Sequence, residues 1–340
     1  MGHKDLDSIV VIGDFAIDRI ITPQLNEYEE LVNFIQTKKN LKSFRKLLFE
    51  YTQKKRVPFH TQLGGPLPNI CQFLRIRERA VSGYSVVGND RLTRKYIRDL
   101  NTLEVDTSRF VSLPGISAEC IYALNSPTEH DSAIWLPHVT AQGSTKLPQD
   151  FFNSHGIMIV SEVNLSLAYR ALNSYSGMSV LNPGSEVFSL NSSSDASFLG
   201  NLLSLVTVLS TNKEELRRIK ELLGINGREF FDRFPRLEYL LTTKDASGAC
   251  LMARNYSSVY DLNLQELGSK TPPGQIVDTI GAGDAFLASA VDAISRGTNP
   301  EDLLITATMA AQESLKYRGA YIPRLWDKNA TVYASISRTE

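Results

Sequence analysis

Short runs of apolar, largely β-branched residues recur along this chain, and most end in a glycine or a polar turn. The first, Ile9-Val10-Val11-Ile12, is continuous, as in a strand buried on both faces. It ends at Gly13-Asp14 and runs on as Phe15-Ala16-Ile17-Asp18, so two carboxylates are expected just past the C-terminal end of a central strand. Further on the alternation is regular. Strands are predicted over 156–161, 178–181, 205–210, 238–242 and 248–252, with helices over 165–174 and after Asn212. Short buried strands alternating with helices predict an α/β fold with a mainly parallel sheet and right-handed crossovers. Polar residues fall directly after several strand ends, among them Glu162 and Asn182, and in open α/β sheets that edge is where ligands bind.

The segment before this alternation is different in kind. From about residue 23 to 60, Leu41, Phe44, Leu47, Leu48 and Tyr51 recur at helical spacing with Lys42, Arg45 and Lys46 between them. Leu31, Val32 and Ile35 suggest a second helical piece, so an ordered amphipathic insert is predicted, its basic residues forming a solvated face. Next comes Gln62-Leu63-Gly64-Gly65-Pro66-Leu67-Pro68-Asn69, then a helix over 70–77. Paired glycines let backbone approach a ligand, and an Asn near a helix start caps it or binds a hydroxyl. A strand over 82–87, a helix over 91–100 and two short strands over 118–124 and 132–136 follow, the last pair suited to a small sheet or lid. The Ser-rich stretch 191–194 reads as a short loop.

Bulk properties narrow the partners. With 340 residues and 42% hydrophobic content there is material for a sizeable core, and a net charge of −1 gives no field favouring nucleic acid or an anionic membrane. Cys71, Cys120 and Cys250 lack metal or disulfide spacing and read as buried thiols of a reducing compartment. No window approaches the ~18 apolar residues of a membrane span. No signal peptide is visible, so a cytoplasmic location is expected. His60, His130, His138 and His155 have no metal-ligand spacing and are expected to be surface or structural residues. Trp135 and Trp326 read as packing residues.

The chemistry concentrates in Val277-Asp278-Thr279-Ile280-Gly281-Ala282-Gly283-Asp284, ahead of a helix predicted over 285–295. Free backbone N–H groups and the helix dipole at such a start suit an anion, and glycines let it come close. A bare Gly-x-Gly-Asp is also compatible with a capped turn. A carboxylate beside an anion hole repels a resting phosphate, but it fits a group that takes a proton from a hydroxyl attacking that phosphate. The Gly-x₄-Gly-Lys-Ser/Thr phosphate loop is absent from the chain.

The whole string, with its alanine-rich helix, resembles the signature of the PfkB (ribokinase-like) family of sugar and nucleoside kinases, and the resemblance extends in order from Ile9 to about Pro323. It implies a three-layer α/β/α sandwich as a single domain over 1–340, with lid or insert elements within about 15–62 and 112–138. It implies an ATP-dependent phosphotransferase acting on an alcohol group of a sugar or sugar-like molecule. Asp284 would be the base, and the N–H groups of Gly281, Ala282 and Gly283 would stabilise charge on the transferred phosphate. Asp14, Asp18, Gly64, Gly65, Asn69 and Glu162 match substrate-binding positions. Asn182, Asn212, Thr243, Gly248, Thr279 and Gly319 match nucleotide-side positions. Glu215, in Asn212-Lys213-Glu214-Glu215, matches a residue that organises Mg²⁺ largely through water, and Asp278 and the loop Gly319-Ala320 match a site for a monovalent cation such as K⁺. The resemblance allows a homodimer.

Substrate identity stays open at this level. The Asp14-x-x-x-Asp18-Arg19 opening and the basic residue in Lys244-Asp245-Ala246-Ser247 are similar to heptose-phosphate kinases, whereas the insert is more like adenosine kinases. A nucleoside kinase and a non-catalytic ligand-binding member of the family are the alternatives.

Overall fold

The structure is a computed structural model that describes residues 6–21, 59–114, 119–126, 129–135, 147–264 and 275–319, with the backbone alone described over 119–135. The predicted helical insert lies almost wholly outside these residues, as do His138, Ala320 and Trp326.

The chain opens with β1 (Ser8–Gly13) and β2 (Ala16–Ile21), and after the insert resumes with β3 (Phe59–Gly64) and α1 (Pro66–Ile76). Next come β4 (Ala80–Tyr84), β5 (Val86–Val87), α2 (Arg91–Thr102), β6 (Val105–Asp106), β7 (Val111–Ser112), β8 (Glu119–Ser126) and β9 (Glu129–Trp135). The alternating half contains α3 (Gln149–Asn153), β10 (Ile157–Ser161), α4 (Leu165–Leu172), β11 (Met178–Asn182), α5 (Ser193–Leu203), β12 (Val208–Asn212) and α6 (Lys213–Leu223). It closes with α7 (Glu229–Arg233), β13 (Tyr239–Thr243), β14 (Gly248–Ala253), β15 (Val259–Asn263), α8 (Ala282–Ser295) and α9 (Pro300–Ser314).

Among the described residues the main sheet has nine strands in the order β15-β14-β13-β12-β11-β10-β1-β4-β6. Its strands from β13 to β6 run parallel, and β14 and β15 are antiparallel additions at one edge. The apolar run of β1 is fully buried because it is covered on both faces. Ile9 and Val11 join one core with Leu67 and Leu74 of α1, Phe286 of α8 and Leu303 of α9. Val10 and Ile12 join the opposite core with Leu167 of α4, Leu199 of α5, Ile219 of α6 and Phe230 of α7. This period of two makes the three α/β/α layers. Each such side chain, removed from water, contributes about 1.5–3 kcal/mol.

The main sheet has its switch point between β1 and β10. The connection leaving β1 reaches α1 on one face, and that leaving β10 reaches α4 on the other. A crevice therefore opens beyond Gly13 and Ser161, whose strands are paired in register there.

Several expected boundaries move. Phe15 to Asp18 is not a simple tail to β1, because residues 16–21 form β2 in a separate sheet of order β3-β2-β8-β9. The chain turns there because a second apolar stretch pairs with β3 and β8 instead of extending the main sheet. The predicted strand 82–87 divides at Ser85 into β4 and β5, which belong to different sheets. The strand predicted over 205–210 sits further on, at β12, since Leu205 and Val206 pack as the end of α5. The 191–194 loop is instead a helix start: Ser192 caps α5 in a reciprocal pair with Asp195. Cys71 is buried, while Cys250 is only half-buried.

Candidate active site

The helix after the Val277–Asp284 string begins about one turn earlier than expected, with α8 starting at Ala282 and Gly281 as its N-cap. Gly281 has φ 78°, a left-handed conformation open to glycine at little cost. Of the expected donors, the Ala282 N–H donates to Thr279 O at 3.3 Å. The N–H groups of Gly281, Gly283 and Asp284 have no acceptor among the described residues, as befits the first turn of a helix. Gly283 is exposed and faces open space.

Upstream, Asp278 shapes this loop. One carboxylate oxygen accepts from Ile280 N–H at 3.0 Å, and the other accepts from Gly319 N–H at 2.6 Å. Val277 N–H donates to Leu315 O, 2.7 Å away, which ties the loop to the end of α9. Burial raises the Asp278 carboxyl, while the two N–H bonds, Arg318 and His60 oppose the rise.

Asp284 is buried, and its Oδ2 accepts from Asn69 Nδ2 at 2.8 Å. That bond joins α8 to α1, whose N-cap is Gly65. Burial holds the Asp284 carboxyl well above the ordinary aspartate range, against the opposing hydrogen bond from Asn69. Asp18 is 1% exposed, and neither of its carboxylate oxygens has a hydrogen-bond partner among the described residues. Its carboxyl is pushed up to about 8, first by burial and then by the negative charges of Asp284 and Asp278. A Cβ on Gly64 would collide with the Asp18 carboxylate, so the glycine pair makes room for an acid of this chain as well as for a ligand.

Glu162 follows β10 with φ 52°, unusual for a residue with a side chain and a strain of about 1–3 kcal/mol. Its N–H donates to Asn182 O at 2.9 Å, and Gly184 lies so close that a Cβ there would approach Glu162 Cγ to 2.6 Å. Burial raises its carboxyl, with Asp284, Glu215 and Asp14 adding to the effect. Asp14, also buried, stands at the β1 edge, where its carbonyl accepts from Leu67 N–H at 3.2 Å. Asp14, Asp18, Asn69, Glu162 and Asp284, from distant parts of the chain, therefore surround one crevice.

The remaining predicted residues lie along the same sheet edge. Asn182 donates to Ser161 Oγ at 3.1 Å. Asn212 caps α6 by accepting from the N–H groups of Glu214 and Glu215, both at 2.9 Å. In return, Glu215 accepts from Asn212 N at 2.9 Å and from Asn212 Nδ2 at 2.8 Å. Both Glu215 oxygens are thus engaged internally, with lone pairs left over for water. Thr243 pairs in register with Asn212. After it, the charged loop closes through Lys244 N–H donating to Gly248 O at 2.8 Å, with Lys244 paired to Asp261 and Lys213 to Asp245.

Gln62 is a site residue that sequence reasoning passed over. It is directly opposite Asp18 across β3 and β2, it is buried, and its amide packs against Gly319. The signal available was period-two spacing with Gly64, legible only once residues 59–64 are known to be a strand. His155 is the structural histidine expected, its ring nitrogens facing Phe151 O at 2.8 Å and Ser82 Oγ at 2.9 Å.

The unpartnered Asp18 carboxylate has a consequence for stability. Its folded-state pKa of about 8 lies above the usual ~3.9, so between these values the folded form holds a proton the unfolded chain has released. Stability then falls as pH rises through that interval. Asp18→Asn is expected to raise the ligand-free Tm at pH 8 by a few °C, since 1 kcal/mol shifts Tm by roughly 2–4 °C in domains of this order. The gain should fade toward pH 4 in thermal melts, and a loss of Tm at pH 8 would refute it.

The chain matches the model for the pfkB family carbohydrate kinases over residues 7–328, and it belongs to that family. Among solved structures, the nucleoside kinase of Methanocaldococcus jannaschii aligns with a TM-score of 0.72 at 15% identity, covering 92% of this chain and 93% of that one. The Burkholderia thailandensis nucleoside kinase in complex with inosine gives 0.69 at 16% identity, over 92% of each chain. Ribokinase from Thermotoga maritima gives 0.67 at 16% identity, over 92% of this chain and 94% of that one. At such identities these likenesses establish the ribokinase-like fold. No match was found among curated protein sequences. Among the described residues, no helix is long and apolar enough to cross a membrane.

Proposed function

We propose that this protein transfers the γ-phosphate of ATP to a hydroxyl of a sugar or sugar-like molecule. The observation that carries the reading is a buried Asp284 at the open N-terminus of α8, held by Asn69 beside the unpartnered Asp18. In this reading Asp284 accepts the hydroxyl proton as that oxygen bonds to the γ-phosphorus and the bond to the β-phosphate bridging oxygen breaks, releasing ADP. The N–H groups of Gly281, Gly283 and Asp284, with the helix dipole, stabilise the charge on the transferring group. Asp14, Asp18, Asn69 and Glu162 orient the acceptor. Asn182, Asn212, Thr243, Thr279, Gly248 and Gly319 line the nucleotide side, and the β3-β2-β8-β9 sheet acts as the lid.

Mg²⁺ fits as an ion held mainly by phosphates and water. Among the described residues no three His, Cys, Asp or Glu side chains are grouped to hold a metal, and Glu215 retains lone pairs for its hydration shell. When bound, the ion neutralises phosphate charge. Asp278, also with lone pairs to spare, is the position proposed for a monovalent cation. A nucleoside acceptor is the second reading, favoured by the nucleoside kinases among the structural neighbours, one of them also solved in a complex described as ADP-inosine.

The test is ADP release on adding sugars, sugar phosphates and nucleosides, compared with the ATPase background. Its pH profile should carry an acid limb set by Asp284: because burial raises this carboxyl, kcat/KM falls as pH drops while still well above the ordinary value of about 3.9. A rate that stays flat down to pH 4 would remove Asp284 as the base.

A further inference from the structure

Helices α1 and α8 pack side by side in the core, and two polar ties join them. Near their starts Asn69 Nδ2 donates to Asp284 Oδ2 at 2.8 Å. Near their ends Arg77, the C-cap of α1, donates to Asp292 Oδ2 at 3.2 Å. Both pairs are 215 residues apart in the chain, so the helices run parallel and neither advances on the other between the ties. At 1.5 Å per residue the ties stand about 12 Å apart. A slip of α8 at the second tie is therefore passed undiminished to Asp284.

The two ends are held unequally. The Asn69 tie is one hydrogen bond, and Gly281, the N-cap of α8, has no side chain with which to fix that end. Asp292 is buried and also meets Arg79 Nε at 2.8 Å and Arg296 Nε at 3.0 Å. Arg77 donates a further bond, to Ser289 Oγ at 2.7 Å, one turn earlier on α8. The apolar residues that α8 brings to the core include Ala285, Ala288, Ala290 and Ala293. Such short side chains make shallow ridges, which interlock weakly and leave register to other contacts. Buried ion pairs are weak stabilisers beside apolar residues of similar volume, and fixing register is their best-attested use.

We infer that Arg77 and Asp292, with Arg79 and Ser289, form a register clamp that sets the reach of α8 along α1 and so places the Asp284 carboxylate against Asn69. This rests on the phosphoryl-transfer reading and deepens it: these are positioning residues, about two helical turns from the proton transfer. A reacting group misplaced by about 1 Å costs about 10²-fold in rate, so the clamp acts on kcat.

The experiment uses the full-length protein with ATP, Mg²⁺ and its best acceptor. Arg77→Met leaves Asp292 with Arg79 and Arg296, and Asp292→Asn keeps the shape of the side chain, so both are expected to fold. Leu202→Ala, in the opposite core, is the control for lost stability alone. All are assayed well below their melting temperatures. Arg77→Met and Asp292→Asn should each lower kcat at least about tenfold with both KM values within about twofold, while Leu202→Ala keeps its kcat. Unchanged kcat in a folded clamp variant, or an equal loss in Leu202→Ala, would overturn the clamp and leave the kinase reading intact. If no acceptor releases ADP above background, the kinase reading fails, and the Asp284 carboxyl ¹³C resonance decides the clamp separately. That resonance is identified by its absence in Asp284→Asn. Its titration midpoint should rise in Arg77→Met, because the Asn69 bond that opposes the effect of burial is lost. A midpoint that stays in place overturns the clamp.

Discussion

Asp284→Asn is expected to fold, to keep its nucleotide-induced thermal shift, and to lose about 10²–10⁴ or more in kcat. The amide is nearly isosteric, and its carbonyl oxygen can still accept the bond that Asn69 now donates to Oδ2 at 2.8 Å. Burial raises the Asp284 carboxyl because ionising it there is unfavourable, so a neutral replacement does not weaken the fold. What disappears is the carboxylate proposed to take the proton of an attacking hydroxyl at the start of α8. By transition-state arithmetic the loss corresponds to about 3–5 kcal/mol or more of barrier. Near-normal turnover in the variant, measured alongside its melt and its ATP-induced shift, would defeat the assignment.

The largest effect on stability is expected at the other end of α8. Asp292 and Arg79 are 3% and 4% exposed in their side chains, and Arg79 Nε lies 2.8 Å from Asp292 Oδ1. The same carboxylate reaches Arg296 Nε at 3.0 Å and, through its other oxygen, Arg77 at 3.2 Å. Arg77 also donates to Ser289 Oγ at 2.7 Å, and Arg79 is bonded to Ser295 and Asp7. Three guanidinium groups thus converge on one buried anion, fastening the segment after α1 to the helix that carries Asp284. Asp292→Ala removes that anion but leaves Arg79 buried, an imbalance that costs about 3–5 kcal/mol. The urea midpoint should drop accordingly. Exposed pairs such as Arg217 with Glu214 and Glu221 offer a control, since solvent screens them and their loss should barely move the midpoint. A change at Asp292 no larger than at Arg217 would show that the cluster adds nothing beyond a solvated face.

Much of this molecule was legible from local pattern. Runs such as Ile9–Ile12 and 157–161 read as doubly buried strands because covering both faces requires continuous apolarity, and the two cores bear this out. The glycine-rich string announced a helix start with free N–H groups, and those of Gly281, Gly283 and Asp284 have no acceptor among the described residues. Other features had no local signature. Phe15 to Asp18 read only as the continuation of β1, because a strand of a second sheet is defined by its partners, β3 and β8, which lie far away in the chain. The α5 cap looked like a loop because Ser and Asp favour both settings until the reciprocal bonds exist.

The chain's own order of residues was enough to determine the α/β alternation, the parallel core, the Gly281–Asp284 turn and the polar residues ending each strand. These depend on period, backbone freedom and propensity, which act over a few residues. The tertiary structure decided which of those residues meet. It set Asn69 against Asp284 across 215 positions, left Asp18 buried with no partner among the described residues, and turned Gln62 from an unremarked polar residue into the neighbour of Gly319. It also turned Asp292 into the hub of three arginines. Burial and long-range charge arise only when distant segments close around the same space, so raised carboxyl pKa values and an acceptor-rich crevice are properties of the fold.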